Sequence, residues 1–154
     1  MKFGPIHARQ KSLFIRLERY LFLIIWTFTR RKIQEKGYII YYGRRTSYGE
    51  MGELTNKFAN FLLSNRFARG DRTALLLPNC PQYYIALFGT HKAGGCVVSL
   101  NPILKEPELE FYFKEVKPKA VVLLDALLPL VKKSCWQLVL RVRSNTHKLC
   151  RVLV

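Results

Sequence analysis

Three histidines, four cysteines and a run of glutamates are the side chains here with the chemistry to catalyse or to hold a metal. The cysteines are Cys80, Cys96, Cys135 and Cys150, and none pairs with another at zinc-knuckle spacing. Cys135, His147 and Cys150 come nearest to a ligand set, but their spacing fits no standard zinc pattern. Reduced thiols are the simpler reading. His7, His91 and His147 stand in no recognised nucleophile context, and His91 reads as a packed or half-exposed helix residue. Glu106, Glu108 and Glu110 crowd the first turns of an expected helix, where the helix dipole favours negative charge. Gly89 and Gly94 have the spacing of a phosphate-binding loop, yet Gly95 and Cys96 follow where Lys and Ser or Thr are needed. There is no dinucleotide glycine fingerprint and no nucleophile elbow. No residue is assigned to catalysis, to cofactor binding or to a metal.

The elements that would position any site follow from periodicity. Tyr38 to Tyr42 is a short β-rich run closed by Gly43. Ser47 and Glu50 form a capping-box pattern ahead of Met51, Leu54, Phe58, Phe61 and Leu62, which recur at helical spacing. The run Thr73 to Leu77 is apolar throughout, as a strand buried on both faces requires. Asn79 is placed to cap the next helix and Pro81 to sit in its first turn. That helix carries Tyr84, Ile85, Leu87 and Phe88 and ends at Gly94 and Gly95, Gly94 lying where a side chain would not fit against the sheet. Cys96 to Leu100 is a further strand, and Asn101-Pro102 turns the chain. Pro107 opens a helix with Leu109, Tyr112 and Phe113 on one side, and Ala120 to Leu124 is a strand ended by Asp125. Strands alternating with helices of this length imply an α/β fold with a parallel sheet.

The formal net charge is +16 over 154 residues. Residues 1–36 hold nine Lys/Arg against two Asp/Glu, and 132–154 hold six against none. The middle, 37–131, is near neutral with eleven against eight. Tyr20 to Phe28 is apolar between Arg19 and Arg30, about half the ~20 residues a bilayer span needs. It fits a basic helical extension that lies on a membrane surface, or one packed on its own protein.

Several stretches go beyond pattern. Thr46-Ser47-Tyr48-Gly49-Glu50-Met51, followed by Asn56 and Ala59, resembles the first core motif of adenylate-forming enzymes. Gly70-Asp71-Arg72-Thr73-Ala74 through Leu77-Pro78-Asn79 resembles that family's G-D-R-V-A strand. His91-Lys92-Ala93-Gly94-Gly95 with Asn101-Pro102 resembles its second core motif, and Glu108-Leu109 and Pro118-Lys119-Ala120-Val121 continue in order. The chain thus resembles an N-terminal fragment of an adenylate-forming (AMP-binding) acyl-CoA synthetase, of the long-chain fatty-acid–CoA ligase kind.

The resemblance implies a partial parallel-sheet layer of the N-terminal domain at 37–133. It is flanked by a basic N-terminal extension at 1–36 and a basic, non-family tail at 134–154. A shifted reading frame would account for the flanks. The family converts a carboxylate, here a fatty acid, with ATP and Mg²⁺ to acyl-AMP and passes it to CoA, in the cytoplasm. The family's Ser/Thr/Gly-rich phosphate loop and its Tyr-Gly-x-Thr-Glu element have no counterpart in this sequence. These residues are therefore expected to be inactive alone and to hold none of those cofactors, and no specific nucleic acid is expected. The alternatives are a basic module that binds a membrane or nucleic acid through its flanks, and a subunit of a split ligase.

Overall fold

The computed structural model describes residues 24, 33–131 and 138–142. Apart from Ile24 and 33–36, the expected basic extension lies outside them, as do His7, Cys135, His147 and Cys150.

A hairpin opens the fold. Strand β1 (Gly37–Tyr41) pairs antiparallel with β2 (Arg44–Ser47) across a tight turn at Tyr42 and Gly43. Both turn residues have positive φ, 46° and 76°, which matches the twist of the flanking strands. The sequence reading found β1 but not β2. Arg44 and Arg45 carry no strand signal, and β2 is set by its partner.

Helix α1 (Tyr48–Ser64) follows at once. Ser47 caps it, its hydroxyl accepting from the Glu50 amide at 3.2 Å. Only that half of the expected capping box is seen, because the Glu50 carboxylate takes the Arg44 guanidinium at 3.0 Å. Met51, Phe58 and Leu62 are buried along the expected stripe, with Leu54 and Phe61 partly buried beside them.

The main sheet has four parallel strands in the order β4-β3-β5-β6. They are β3 (Arg72–Leu76), β4 (Cys96–Ser99), β5 (Ala120–Leu124) and β6 (Leu138–Val142). Helix α2 (Pro81–Lys92) joins β3 to β4, and α3 (Glu106–Val116) joins β4 to β5. A short turn of helix, α4 (Leu128–Val131), leads from β5 towards β6. Beyond Lys133, where the family region is expected to end, the sheet continues with β6 in parallel register, Ala120 opposite Leu138 and Leu124 opposite Val142.

Alternation along the two central strands divides the core. Leu75, Leu77, Ala120 and Val122 face α1 and α2, and pack with Phe58, Leu62, Phe67, Ile85 and Ala86. Ala74, Leu76, Val121 and Leu123 face the other way, against Leu109, Phe113 and Val131. Right-handed crossovers require this arrangement when one connection runs to the left of β3 and the next returns to its right. Tyr112, expected on the buried side of α3, is 40% exposed, since Leu109 and Phe113 alone fill that contact.

Two local readings are corrected. Cys80, not Asn79, is the N-cap of α2, with Pro81 in its first turn as expected. Gly94 is needed for its φ of +83°, whereas the position without room for a side chain is Gly95. A Cβ there would lie 2.4 Å from Phe67 Cε1 and 2.9 Å from the Asp71 carbonyl oxygen. Gly89 lies inside α2, so its spacing to Gly94 reflects a helix and not a phosphate loop. A Cβ on Gly89 would meet Phe58 at 2.6 Å, which is how closely α1 and α2 approach.

Asp71 knots the edge of the sheet from which the strands start. Its carboxylate accepts from the Ala68 amide at 2.6 Å and pairs with Lys119 at 2.7 Å. Its carbonyl accepts from the Cys96 amide at 2.8 Å. Partial burial pushes the carboxyl pKa up, but the Lys119 and Ala68 bonds and the nearby Arg72 charge outweigh it and hold the pKa below the usual value. Arg72 donates to the Val116 carbonyl at 2.7 Å, and Lys119 also reaches the Arg66 carbonyl.

Two predictions follow from this packing. Gly95→Ala should cost about 2 kcal/mol in urea unfolding, because backbone blocks the new methyl, and Gly43→Ala, whose Cβ would enter open space, about 1 kcal/mol. Equal costs would contradict the close approach at Gly95. Asp71→Asn should cost about 1.5 kcal/mol at neutral pH. Asp71 has a lowered native pKa, so its contribution is whole above the ordinary value of 3.8 and fades as pH falls through the native one. The variant should therefore lose less stability than the parent on acidification, and matching acid limbs in the two unfolding series would refute the role.

Candidate functional site

Open parallel sheets bind ligands beyond the carboxyl ends of their strands, where neighbouring connections diverge. Here the connections leaving β3 and β5 diverge, and the chain there reads Pro78-Asn79-Cys80 after β3 and Asp125-Ala126 after β5. A cleft of ≈ 390 Å³ lies on this side. Tyr38, Ile39, Ile40 and Tyr41 of β1 form one wall, and Asn79, Cys80 and Tyr84 form the other.

Each wall has a local cause. The inward residues of the hairpin, Ile39 and Tyr41, lean on the α1–α2 core, and Thr46 opposite Ile39 is buried. That packing holds β1 beside the β3–α2 loop. Tyr38 is the hub of an aromatic group, edge-on to Tyr48 at 4.7 Å, Tyr84 at 6.3 Å and Phe88 at 6.4 Å between ring centres. Tyr83 bonds the Ser99 hydroxyl at 2.8 Å, tying the start of α2 to the end of β4. Beyond β4, Asn101 accepts from the Ile103 amide at 3.0 Å and closes the expected turn.

Three groups of the cleft have raised pKa values. Burial, then the neighbouring Tyr48 and Tyr84 hydroxyls, push the Tyr38 pKa up to about 12. Tyr41 is also raised, by burial first and then by Cys80 and Tyr42. Burial raises the Cys80 thiol, and the amides of Tyr83 and Gln82 at the start of α2 offset this only in part. The polar lining is three phenols, a thiol and an amide, able to hydrogen-bond a small amphipathic group. A triphosphate with Mg²⁺ does not fit it, because no lining residue is a cation or a carboxylate.

Most of the side chains singled out from the sequence are not brought together. His91 sits near the end of α2 and Cys96 starts β4, both on the side of the sheet opposite the cleft. The glutamates of α3 serve the helix. Glu108 accepts from the Lys105 amide at 2.8 Å and Glu110 pairs with Lys114 at 3.0 Å. Among the described residues no cluster of His, Cys, Asp or Glu could hold a metal. The cleft has no motif in the sequence; its signal is the tyrosine-rich run at 38–42 and Asn79 after the buried strand, whose local patterns are those of a strand and a cap.

The cleft yields a prediction. In the folded protein iodoacetamide should alkylate Cys80 slowly at pH 7, and urea should remove the protection. Peptide mapping that finds equal labelling in both states would show the thiol exposed, against its 5% accessibility.

Comparison with known proteins places this fold. The family model for AMP-binding enzymes matches residues 28–153, so it extends past both expected boundaries of the family region. A long-chain-fatty-acid–CoA ligase of Bacillus subtilis is 36% identical over 105 residues, covering 68% of this chain and 19% of the ligase. The chain therefore spans about a fifth of that relative's length. Among solved structures, a benzoate CoA ligase from Burkholderia xenovorans superposes with a TM-score of 0.74 at 21% identity, covering 79% of this chain and 26% of that one. The N-terminal domain of FACL13 from Mycobacterium tuberculosis gives 0.56 at 31% identity, covering 59% and 23%.

Proposed function

The chain belongs to the AMP-binding enzyme family, and we propose that it forms the first α/β layer of a ligase that activates a fatty acid with ATP and passes the acyl group to CoA. The observation that carries this is the coincidence of the family motifs with structural joints. Gly70-Asp71-Arg72 forms the knot at the start of β3, Gly94-Gly95 is the close approach before β4, and Asn101-Pro102 is the turn leaving it. The long-chain-fatty-acid–CoA ligases among its relatives support the acyl substrate.

These residues act as scaffold in that reading. β3 and β5 fix the floor, the hairpin and the β3–α2 loop line a neutral cleft, and no described group takes a proton from a reacting atom. ATP, Mg²⁺ and CoA belong to the proposed whole reaction, in the cytoplasm, and no step is routed through the cleft. The residues at 1–36 make peripheral contact with a membrane surface, where a fatty acid resides. The described helices include none long and apolar enough to cross one.

The test is ATP–pyrophosphate exchange with a panel of fatty acids. These 154 residues alone should give no exchange above the blank. Exchange by the isolated chain would overturn the scaffold reading. Exchange only on co-expression with a separate polypeptide carrying the phosphate loop would make this a split-ligase subunit.

A further inference from the structure

The hairpin that walls the cleft has a second, outward face. Tyr38, Ile39 and Tyr41 pack on the core, whereas Ile40, which also borders the cleft, and Tyr42, in the turn after β1, are 75% and 80% exposed. Arg45 lies directly across from Ile40 and is exposed with it. Alternation on a half-buried hairpin ordinarily places polar residues at these positions. Tyr42 is the more telling of the two. Its φ of 46° is a conformation that Gly, Asn or Asp adopts readily and a tyrosine does not, and its ring rests edge-on against Tyr41 at 4.6 Å. An aromatic ring is thus held out to solvent at a turn whose backbone disfavours it.

Charge says what the face meets. Between Lys36 and Gly49 the chain has Lys36, Arg44 and Arg45 and no acid. Glu50 engages Arg44, which leaves Arg45 as the cation beside Ile40 and Tyr42. The strand continues directly from the basic, partly apolar residues 1–36. An aliphatic side chain, a phenol and a guanidinium on one small face match the boundary between lipid acyl chains and anionic headgroups, where tyrosine places its ring below its hydroxyl. A nucleic acid would use the cation and the ring but gains little from Ile40.

We propose that the outward face of the β1–β2 hairpin, Ile40, Tyr42 and Arg45, docks on an anionic lipid surface. The inference rests on the peripheral membrane reading above and names the folded surface that makes the contact. It sets the cleft, whose wall is the same strand, at the lipid boundary.

The experiment is co-sedimentation of the full chain with phosphatidylcholine vesicles and with vesicles of equal parts phosphatidylcholine and phosphatidylglycerol. The parent should bind the anionic vesicles, less so at high salt, and not the neutral ones. Ile40→Ser combined with Tyr42→Asn should lower the partition about tenfold, and Arg45→Gln about fivefold. Tyr42→Asn alone should weaken binding while raising stability to urea, because Asn accepts the turn conformation; a residue with a purely structural role would not separate the two. Parental binding by the Ile40→Ser, Tyr42→Asn pair would overturn the hairpin proposal and leave the contact with residues 1–36 standing. No binding of the parent to anionic vesicles would overturn both. Binding to duplex DNA that falls with the same pair of substitutions would assign the face to nucleic acid instead.

Discussion

Asp71 is the constraint on which the sheet depends. One residue ties three connections together: its carboxylate holds the loop after α1 and the lysine that precedes β5, and its carbonyl holds the first amide of β4. Strands that lie side by side here are far apart in sequence, so their register cannot come from short turns. It comes from this edge, where a fixed anion and a fixed carbonyl set where each strand begins. Gly95 follows from the same geometry, since the Asp71 carbonyl and the Phe67 ring occupy the space a side chain would need. The two faces of β3 and β5 can then fill with Leu, Val and Ala, because the position of each residue is already decided.

That division explains what the sequence could reveal. Strands β3 and β5 were legible because they are buried on both faces and read as continuous apolar runs. Helix α1 was legible through its stripe and its serine cap. β2 was not, because Arg44 and Arg45 have no strand preference and pair only because the turn at Tyr42 and Gly43 returns the chain. β6 is a short apolar run inside a basic tail and is defined by its register with β5. Asp71 was visible as part of a motif but only as a turn residue, since the partner that gives it meaning, Lys119, is 48 positions on. The cleft was the least legible feature, because it lies between two segments that sequence reading treats separately.

The two edges of the sheet differ in chemistry. Where the strands begin, Asp71, Lys119 and Arg72 are engaged in short polar contacts that hold loops in place. Beyond their ends, the groups near the cleft are Asn79, Cys80, Tyr83 and the tyrosines of the hairpin and α2, with Asp125 after β5. The first set resists movement and the second leaves space. This is the arrangement expected of open α/β sheets, in which stability and binding are assigned to opposite edges.

Charge then limits what the open edge contributes to the proposed adenylating reaction. Joining a carboxylate to a nucleotide phosphate brings anionic oxygens together, and they need cations or aligned amides around them. Burial raises the pKa of Tyr38, Tyr41 and Cys80 further, so none supplies a compensating charge, and Asp125 adds a carboxylate. The open edge of these strands therefore offers shape, apolar surface and neutral hydrogen bonds. For the proposed ligase such a layer fixes distances and adds little charge of its own.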